Sequence, residues 1–140
     1  MRDLMNCLDF KRGLSPAAAV TNNTAFVSQI FDTRGSSGAM FAILTGSLAD
    51  TDATFTVLAE ESDDSGMSGQ TAVADANLLG TEVLATPLFS SDNKVFKLGF
   101  VDTKRYLRVT ITPADNTGDV YIAGVWIGCP LIRPSANPPA

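Results

Sequence analysis

The 140-residue chain contains no histidine, and this absence excludes several classes of chemistry. Ser-His-Asp triads, Cys-His pairs, histidine general bases and the usual zinc sites all require an imidazole. No G-x-S-x-G motif marks a nucleophilic serine. Two carboxylates could in principle cleave a glycoside, but no spacing selects a pair from Glu60, Glu61 or Glu82 with an aspartate. The sequence therefore predicts a protein that is not an enzyme and has no cofactor.

Cysteine and long hydrophobic runs are also scarce. Cys7 and Cys129 lie far apart without a C-x-x-C spacing, which predicts reduced thiols in a cytosolic product, with a disulfide as the alternative. No apolar run approaches the roughly 20 residues of a membrane helix. Residues 1–16 contain no continuous apolar segment of the kind found in signal peptides. These features predict no membrane contact.

The acidic run EESDD, residues 60–64, is the strongest candidate for a metal site. Calcium takes several oxygen ligands, which carboxylates can supply. The run lacks the EF-hand order D-x-[DN]-x-[DN]-G, and DTD at 50–52 is only a fragment of that pattern. We therefore interpret 60–64 as a solvated loop and predict no metal site.

Strand-like segments dominate the chain from about residue 17. They are rich in β-branched and aromatic residues and are separated by turn sequences. They cover residues 24–32, 39–47, 51–62, 80–87, 94–100, 104–112 and 119–128. The last three have hairpin-sized connections and are predicted to form a meander. Seven or eight strands without a long helix predict an all-β fold, an antiparallel β-sandwich of jelly-roll type, with an immunoglobulin-like outline as the alternative.

The domain organisation follows from the flanks of this region. Residues 1–16 are predicted to be an N-terminal arm, 17–129 the jelly-roll sandwich, and 130–140 an extended tail containing four prolines. Residues 60–80 form a connection long enough to be functional or mobile, with a possible helical turn in ADANLL. Trp126 lies in a strand that is apolar on both faces and is predicted to be in the core, with a partner anchor as the alternative.

Basic residues are concentrated in one part of an otherwise acidic chain of net charge −5. No lysine or arginine occurs between Arg34 and Lys94, whereas half of them fall between residues 94 and 108. In 104–112, period two places Lys104, Tyr106 and Arg108 on one face, and Leu107, Val109 and Ile111 on the core face. The predicted partner-binding residues are Lys94, Lys97, Lys104, Tyr106, Arg108 and Arg133.

Two other interpretations of this basic face remain open. One is a plain solvated sheet surface. The other is a nucleic-acid surface, which the acidic balance and the lack of an RNP or helix-turn-helix pattern disfavour, so no nucleic-acid partner is predicted.

Residues 92–130, DNKVFKLGFVDTKRYLRVTITPADNTGDVYIAGVWIGCP, resemble capsid cement, or decoration, proteins of short-tailed bacteriophages, and LLGTEVLA before them also fits. The resemblance implies a jelly-roll homodimer on the outer surface of the virion, made in the host cytoplasm. It implies that the major capsid protein is the partner and that contacts between its subunits are stabilised. No individual site residue is transferred by it. The alternative function is a carbohydrate-binding jelly-roll module of a phage tail or adsorption apparatus.

Overall fold

Two antiparallel β-sheets packed face to face make up the fold in a computed structural model that describes residues 3–131. Sheet A contains, in spatial order, β1 (Asp9–Leu14), β10 (Val120–Pro130), β4 (Ser36–Leu48), β8 (Val95–Phe100) and β7 (Leu78–Leu79). Sheet B contains β2 (Phe26–Val27), β9 (Tyr106–Ala114), β5 (Thr54–Ser62) and β6 (Thr71–Ala72), and β3 (Phe31–Asp32) also pairs with β9. The predicted antiparallel sandwich of jelly-roll type is therefore confirmed.

The core lies between the sheets and is built by alternate residues of each strand. On β9, Leu107, Val109 and Ile111 are fully buried, as the period-two pattern predicts. β4 contributes Phe41 and Ile43 from the opposite sheet, both without solvent exposure. The two inward faces interlock, which is the usual core of a sandwich.

Trp126 occupies the middle of this core, which confirms the prediction for it. Its ring stacks on Phe31 at a centroid distance of 5.1 Å and contacts Phe41 at 4.6 Å and Phe100 at 5.5 Å. Its buried indole N–H donates a hydrogen bond of 2.9 Å to the carbonyl oxygen of Gln29. A buried tryptophan thus gains ring contacts without leaving its polar atom unpaired.

The predicted meander over 94–128 is wrong. β8 belongs to sheet A, β9 to sheet B and β10 to sheet A again, so the chain crosses the sandwich twice. Asp102 and Asp115, in the two connections, have positive φ angles of 50° and 57°. Short Asp-containing connections are equally suited to tight hairpins and to arches between sheets, and their length alone does not separate the two.

Two element boundaries also differ from expectation. The predicted arm 1–16 contains β1, which pairs with β10 and brings Phe10 opposite Ile127. The segment 80–87, expected to be a weak strand, forms the short helix α1 (Glu82–Ala85). Thr81 caps this helix, because its hydroxyl oxygen accepts the backbone N–H of Leu84 at 3.1 Å.

The connection between β5 and β8 is more ordered than its length suggests. It contains β6, β7 and α1, and the predicted helical turn in 74–79 is present as a 3-10 turn at Asp75–Asn77. The Glu82 carboxylate accepts the buried backbone N–H of Ala59 at 2.6 Å and so caps an edge position of β5. The tail residues 132–140 lie outside the described residues. Within 3–131, no helix is long and apolar enough to cross a bilayer.

Candidate functional site

The predicted basic residues do not form one surface, because they belong to opposite sheets. Lys94 and Lys97 lie just before and within β8 of sheet A. Lys104, Tyr106 and Arg108 lie just before and within β9 of sheet B. Arg133 lies outside the described residues.

On sheet B, the cations of the KRYLR segment are largely engaged within the chain. Arg108 binds Glu60 across the paired strands, and Arg105 binds Asp32 with hydrogen bonds of 2.7 and 2.9 Å. The Arg105 guanidinium lies 4.8 Å from the centre of the Tyr106 ring. The carboxylates that bind these two arginines are therefore supplied within the chain, by β3 and β5.

The Arg105–Asp32 pair also has an electrostatic signature. Hydrogen bonds from Arg105, assisted by the backbone N–H of Arg34, lower the pKa of Asp32 from 3.8 to about 2. Asp32 therefore stays ionised well into the acid range, and its charge is matched by Arg105.

The acidic run 60–64 is not simply a solvated loop. β5 continues to Ser62, so Glu60 and Glu61 are strand residues, and the Glu61 carboxylate accepts the backbone N–H of Lys104 at 2.9 Å. The Asp64 carboxylate accepts the backbone N–H groups of Gly66 and Ser68 at 2.9 and 3.2 Å. Within residues 3–131, no three potential side-chain ligands converge as a metal site would require.

The outer face of sheet A has a different character, because most of its outward-facing residues are apolar. The strand registers place five residues in one row, one from each strand: Phe10, Ile127, Met40, Gly99 and Leu79. Leu79 lies over Gly99, where a β-carbon would come within 2.9 Å of the leucine β-carbon. We call this row the apolar row, and the outward-facing surface of sheet A as a whole the sheet A face.

The rest of the sheet A face continues this pattern. Leu44 and Val95 are directly paired and exposed, and Tyr121 is exposed at the far end of β10. The close approach of Tyr121 explains the glycine beside it, since a β-carbon at Gly46 would lie 3.0 Å from that of Tyr121. A monomeric protein rarely leaves such a continuous apolar surface in water, so the face is a candidate binding surface.

A cleft of about 590 Å³ opens at the end of the face that carries the apolar row. Its apolar lining includes Met40, Leu79, Val101 and Ile127. Its polar lining consists of Thr33, Ser36, Ser37, Asp102 and Thr103. The cleft therefore combines an apolar floor with hydroxyl and carboxylate groups, which is the usual composition of a ligand site.

Sequence reasoning missed this face, although it contained a signal. Residues 39–47 and 119–128 are apolar on both faces, and the strands they form, β4 and β10, each have a neighbour on both sides in sheet A. In a two-layer sandwich each sheet has one outer face, so a strand that is apolar on both faces predicts an apolar outer surface. Phe10 was missed because its strand was assigned to the arm.

Comparisons with known proteins show no family model and no curated protein that matches the chain. Among solved structures, the family 22 carbohydrate-binding module of Clostridium thermocellum Xyn10B is similar at 15% identity and a TM-score of 0.43, over 89% of this chain and 87% of that one. The xylan-binding module CBM15 is similar at 15% identity and a TM-score of 0.43, over 91% and 94% of the two chains. A xylan-binding domain of family 22 is similar at 15% identity and a TM-score of 0.40, over 89% and 87%.

These findings correct the capsid interpretation. The similar structures are carbohydrate-binding modules rather than decoration proteins, so the suggested family, the cement function and the major capsid protein as partner are wrong. The strand pattern that carried the resemblance, 92–130, was read as a meander and is instead divided between two sheets. A pattern of strand lengths and turns is common to many sandwiches and does not identify one family.

Proposed function

We propose that the chain is a non-catalytic carbohydrate-binding module that holds a polysaccharide segment against the sheet A face. The observation that carries this proposal is the apolar row across five strands, which opens into a polar-lined cleft. Sugar rings present apolar C–H surfaces bordered by hydroxyl groups. A protein surface that binds them therefore combines apolar side chains with hydrogen-bonding side chains beside them.

Exposed aromatic rings stand near both ends of the face. Phe10 is 42% exposed beside Ile127, and Tyr121 is 43% exposed six residues earlier on β10. Six residues of a strand span about 20 Å. Aromatic rings offer flat apolar platforms with little conformational entropy to lose, and two platforms at this separation suit an extended chain better than a single sugar.

The cleft supplies the polar half of the recognition. Thr33, Ser36, Ser37 and Thr103 bring hydroxyl groups that both donate and accept hydrogen bonds, and Asp102 brings an acceptor. Sugar hydroxyls also donate and accept, so these groups are complementary to the edge of a ring. The hydroxyl groups of the cleft fix the orientation of the sugar chain, while the apolar row supplies the area that the sugar rings contact.

Two leucines of equal exposure provide a matched test. Leu44, 38% exposed, lies on the sheet A face, and Leu58, 39% exposed, lies on the outer face of sheet B. Binding of the full chain to a panel of neutral and acidic polysaccharides is measured by affinity electrophoresis, followed by calorimetry on those retained. We expect Leu44→Gln and Tyr121→Ala to weaken binding about tenfold, which corresponds to the loss of about 1.4 kcal/mol of contact energy. Leu58→Gln is expected to bind like the unmodified chain.

Two results would contradict the proposal. One is the absence of binding to every polysaccharide in the panel by a chain shown to be folded. The other is an equal loss of binding in Leu44→Gln and Leu58→Gln, because it would separate binding from the sheet A face.

A further inference from the structure

The sheet A face carries two charged side chains among its outward-facing strand residues, and both are basic. Arg12 projects from β1 and Lys97 from β8, and both are exposed. The registers align them in one row, in the order Arg12, Val125, Ala42 and Lys97. Three strand spacings separate the two cations, which places their α-carbons about 14 Å apart. The row of side chains next to the apolar row therefore has two apolar residues, Val125 and Ala42, in its middle and a cation at each end.

Among the basic residues of 3–131, Arg12, Arg34, Lys94, Lys97 and Lys104 form no ion pair, and of these Arg12 and Lys97 project from strands of the sheet A face. Lys11, Arg105 and Arg108 form ion pairs with Asp9, Asp32 and Glu60 respectively. Arg12 and Lys97 form no ion pair with any residue in the described range 3–131. An arginine and a lysine without internal carboxylate partners, in a row of outward-facing residues that contains no acidic side chain, are available to an external anion.

The charge of the rest of the molecule makes this arrangement selective. The chain carries a net charge of −5, so an anionic ligand is repelled by the molecule as a whole. A local positive field over the sheet A face directs such a ligand to this surface and disfavours others.

We infer that the polysaccharide bound by the sheet A face is acidic, with carboxylate groups such as those of uronic acid units pairing with Arg12 and Lys97. This inference rests on the proposed function and specifies its ligand class. A single small anion cannot contact both cations across about 14 Å. A chain with regularly spaced carboxylates can do so while its sugar rings lie on Val125 and Ala42 between them. Arginine adds directional recognition, because its planar fork matches the two oxygens of a carboxylate.

The test compares polygalacturonate with its methyl ester, which has the same sugar backbone without the charges. Calorimetry with the full chain at low salt is expected to show at least about tenfold tighter binding of the acid form, the equivalent of one charge-assisted contact. Arg12→Gln and Lys97→Gln are each expected to remove most of this preference, because they weaken binding of the acid form more than binding of the ester. The double variant Arg12→Lys/Lys97→Arg keeps both positive charges and is expected to retain most of the preference for the acid form.

A substitution on the other sheet serves as the experimental control for net charge. Thr56→Glu changes the charge of the chain by the same amount as Arg12→Gln, and Thr56 is exposed on the outer face of sheet B. We expect Thr56→Glu to leave the acid preference intact. Added salt is expected to reduce the preference, because exposed pairs are screened beyond about 8 Å at physiological ionic strength.

The outcomes separate this inference from the proposed function. Equal binding of acid and ester, unaffected by Arg12→Gln and Lys97→Gln, overturns the acidic ligand and leaves carbohydrate binding intact. Binding to vesicles of anionic phospholipid or to an acidic peptide, with none to polygalacturonate, its ester or a neutral polysaccharide, overturns both. A loss of acid preference in Thr56→Glu equal to that in Arg12→Gln also overturns the inference, because net charge alone would then explain it.

Discussion

Arg108 donates two hydrogen bonds to a single carboxylate oxygen of Glu60, at 3.0 Å from Nε and 2.8 Å from Nη2. The two residues are directly paired on β9 and β5. Their side chains are 23% and 14% exposed, so the pair is better shielded from water than Arg105–Asp32, at 42% and 37%. Interactions between charges weaken with solvent exposure, and the two pairs should therefore differ in their contribution to stability.

The first prediction compares these two ion pairs. We expect Arg108→Gln to lower the free energy of unfolding by about 1–2 kcal/mol, and Arg105→Gln to lower it by clearly less. Urea denaturation of both variants measures the difference, and Glu60→Gln completes a double-mutant cycle for the Arg108 pair. A coupling energy near zero in that cycle would show that the hydrogen bonds contribute nothing to folding.

The second prediction concerns acid stability. Asp32 has a folded pKa of about 2, below its ordinary value of 3.8, because Arg105 stabilises the ionised form. The stabilisation is therefore fully present above about pH 4 and is lost as the pH falls towards 2. Both partners are exposed, so its size is expected to be under about 1 kcal/mol. Thermal melts of the unmodified chain and Asp32→Asn should converge over this range, and a difference that stays constant down to pH 2 would contradict the prediction.

The third prediction uses two glycines of opposite environment. A β-carbon at Gly124 would lie 2.4 Å from Cζ of Phe41, which is fully buried and has no room to move. We expect Gly124→Ala to destabilise the fold by about 1–3 kcal/mol through overpacking. At Gly38 nothing lies within 4 Å of the added atom. Gly38→Ala should change stability by less than about 0.5 kcal/mol in the same denaturation assay. Equal effects at both sites would contradict the packing around Phe41.

The fourth prediction tests the cap on β5. Glu82 accepts the buried backbone N–H of Ala59, and its removal leaves that donor without a partner. Glu82→Ala is expected to cost about 1–3 kcal/mol. Glu82→Gln keeps an amide oxygen as acceptor and should cost clearly less. Hydrogen exchange of the Ala59 amide gives an independent measurement, and unchanged protection in Glu82→Ala would show that the cap is dispensable.

The sequence predicted correctly which residues are buried where the prediction depended on a single strand. The alternation in 104–112 identified Leu107, Val109 and Ile111 as core, and the apolar neighbourhood of Trp126 identified it as buried. The pairing of strands was beyond this reasoning, because it depends on contacts between segments distant in the chain. The assignment of β8, β9 and β10 to one sheet failed for this reason.

The candidate site was less predictable than the fold. Lys97 was selected from the basic cluster, yet its neighbours on the sheet A face are Ala42 and, two strands further, Arg12, a residue assigned to the arm. Lys104 and Arg108 drew attention because charge is visible in a sequence. The carboxylates of Asp32 and Glu60, which accept hydrogen bonds from Arg105 and Arg108, are not recognisable as partners without strand register. A binding face made of ordinary apolar residues has no local sequence signature.

The position of β10 has a consequence for biosynthesis. This strand is inserted between β1, which is made first, and β4, and it carries Trp126 into the core. While the chain emerges from the ribosome, β1 has no neighbour in sheet A, and the aromatic cluster lacks its central ring. Such long-range pairing delays folding until β10 has been synthesised, and the apolar strands of sheet A remain exposed until then. Folding of the sandwich consequently depends on β10, and a ribosome stalled before Val120 would hold a product that cannot close this core.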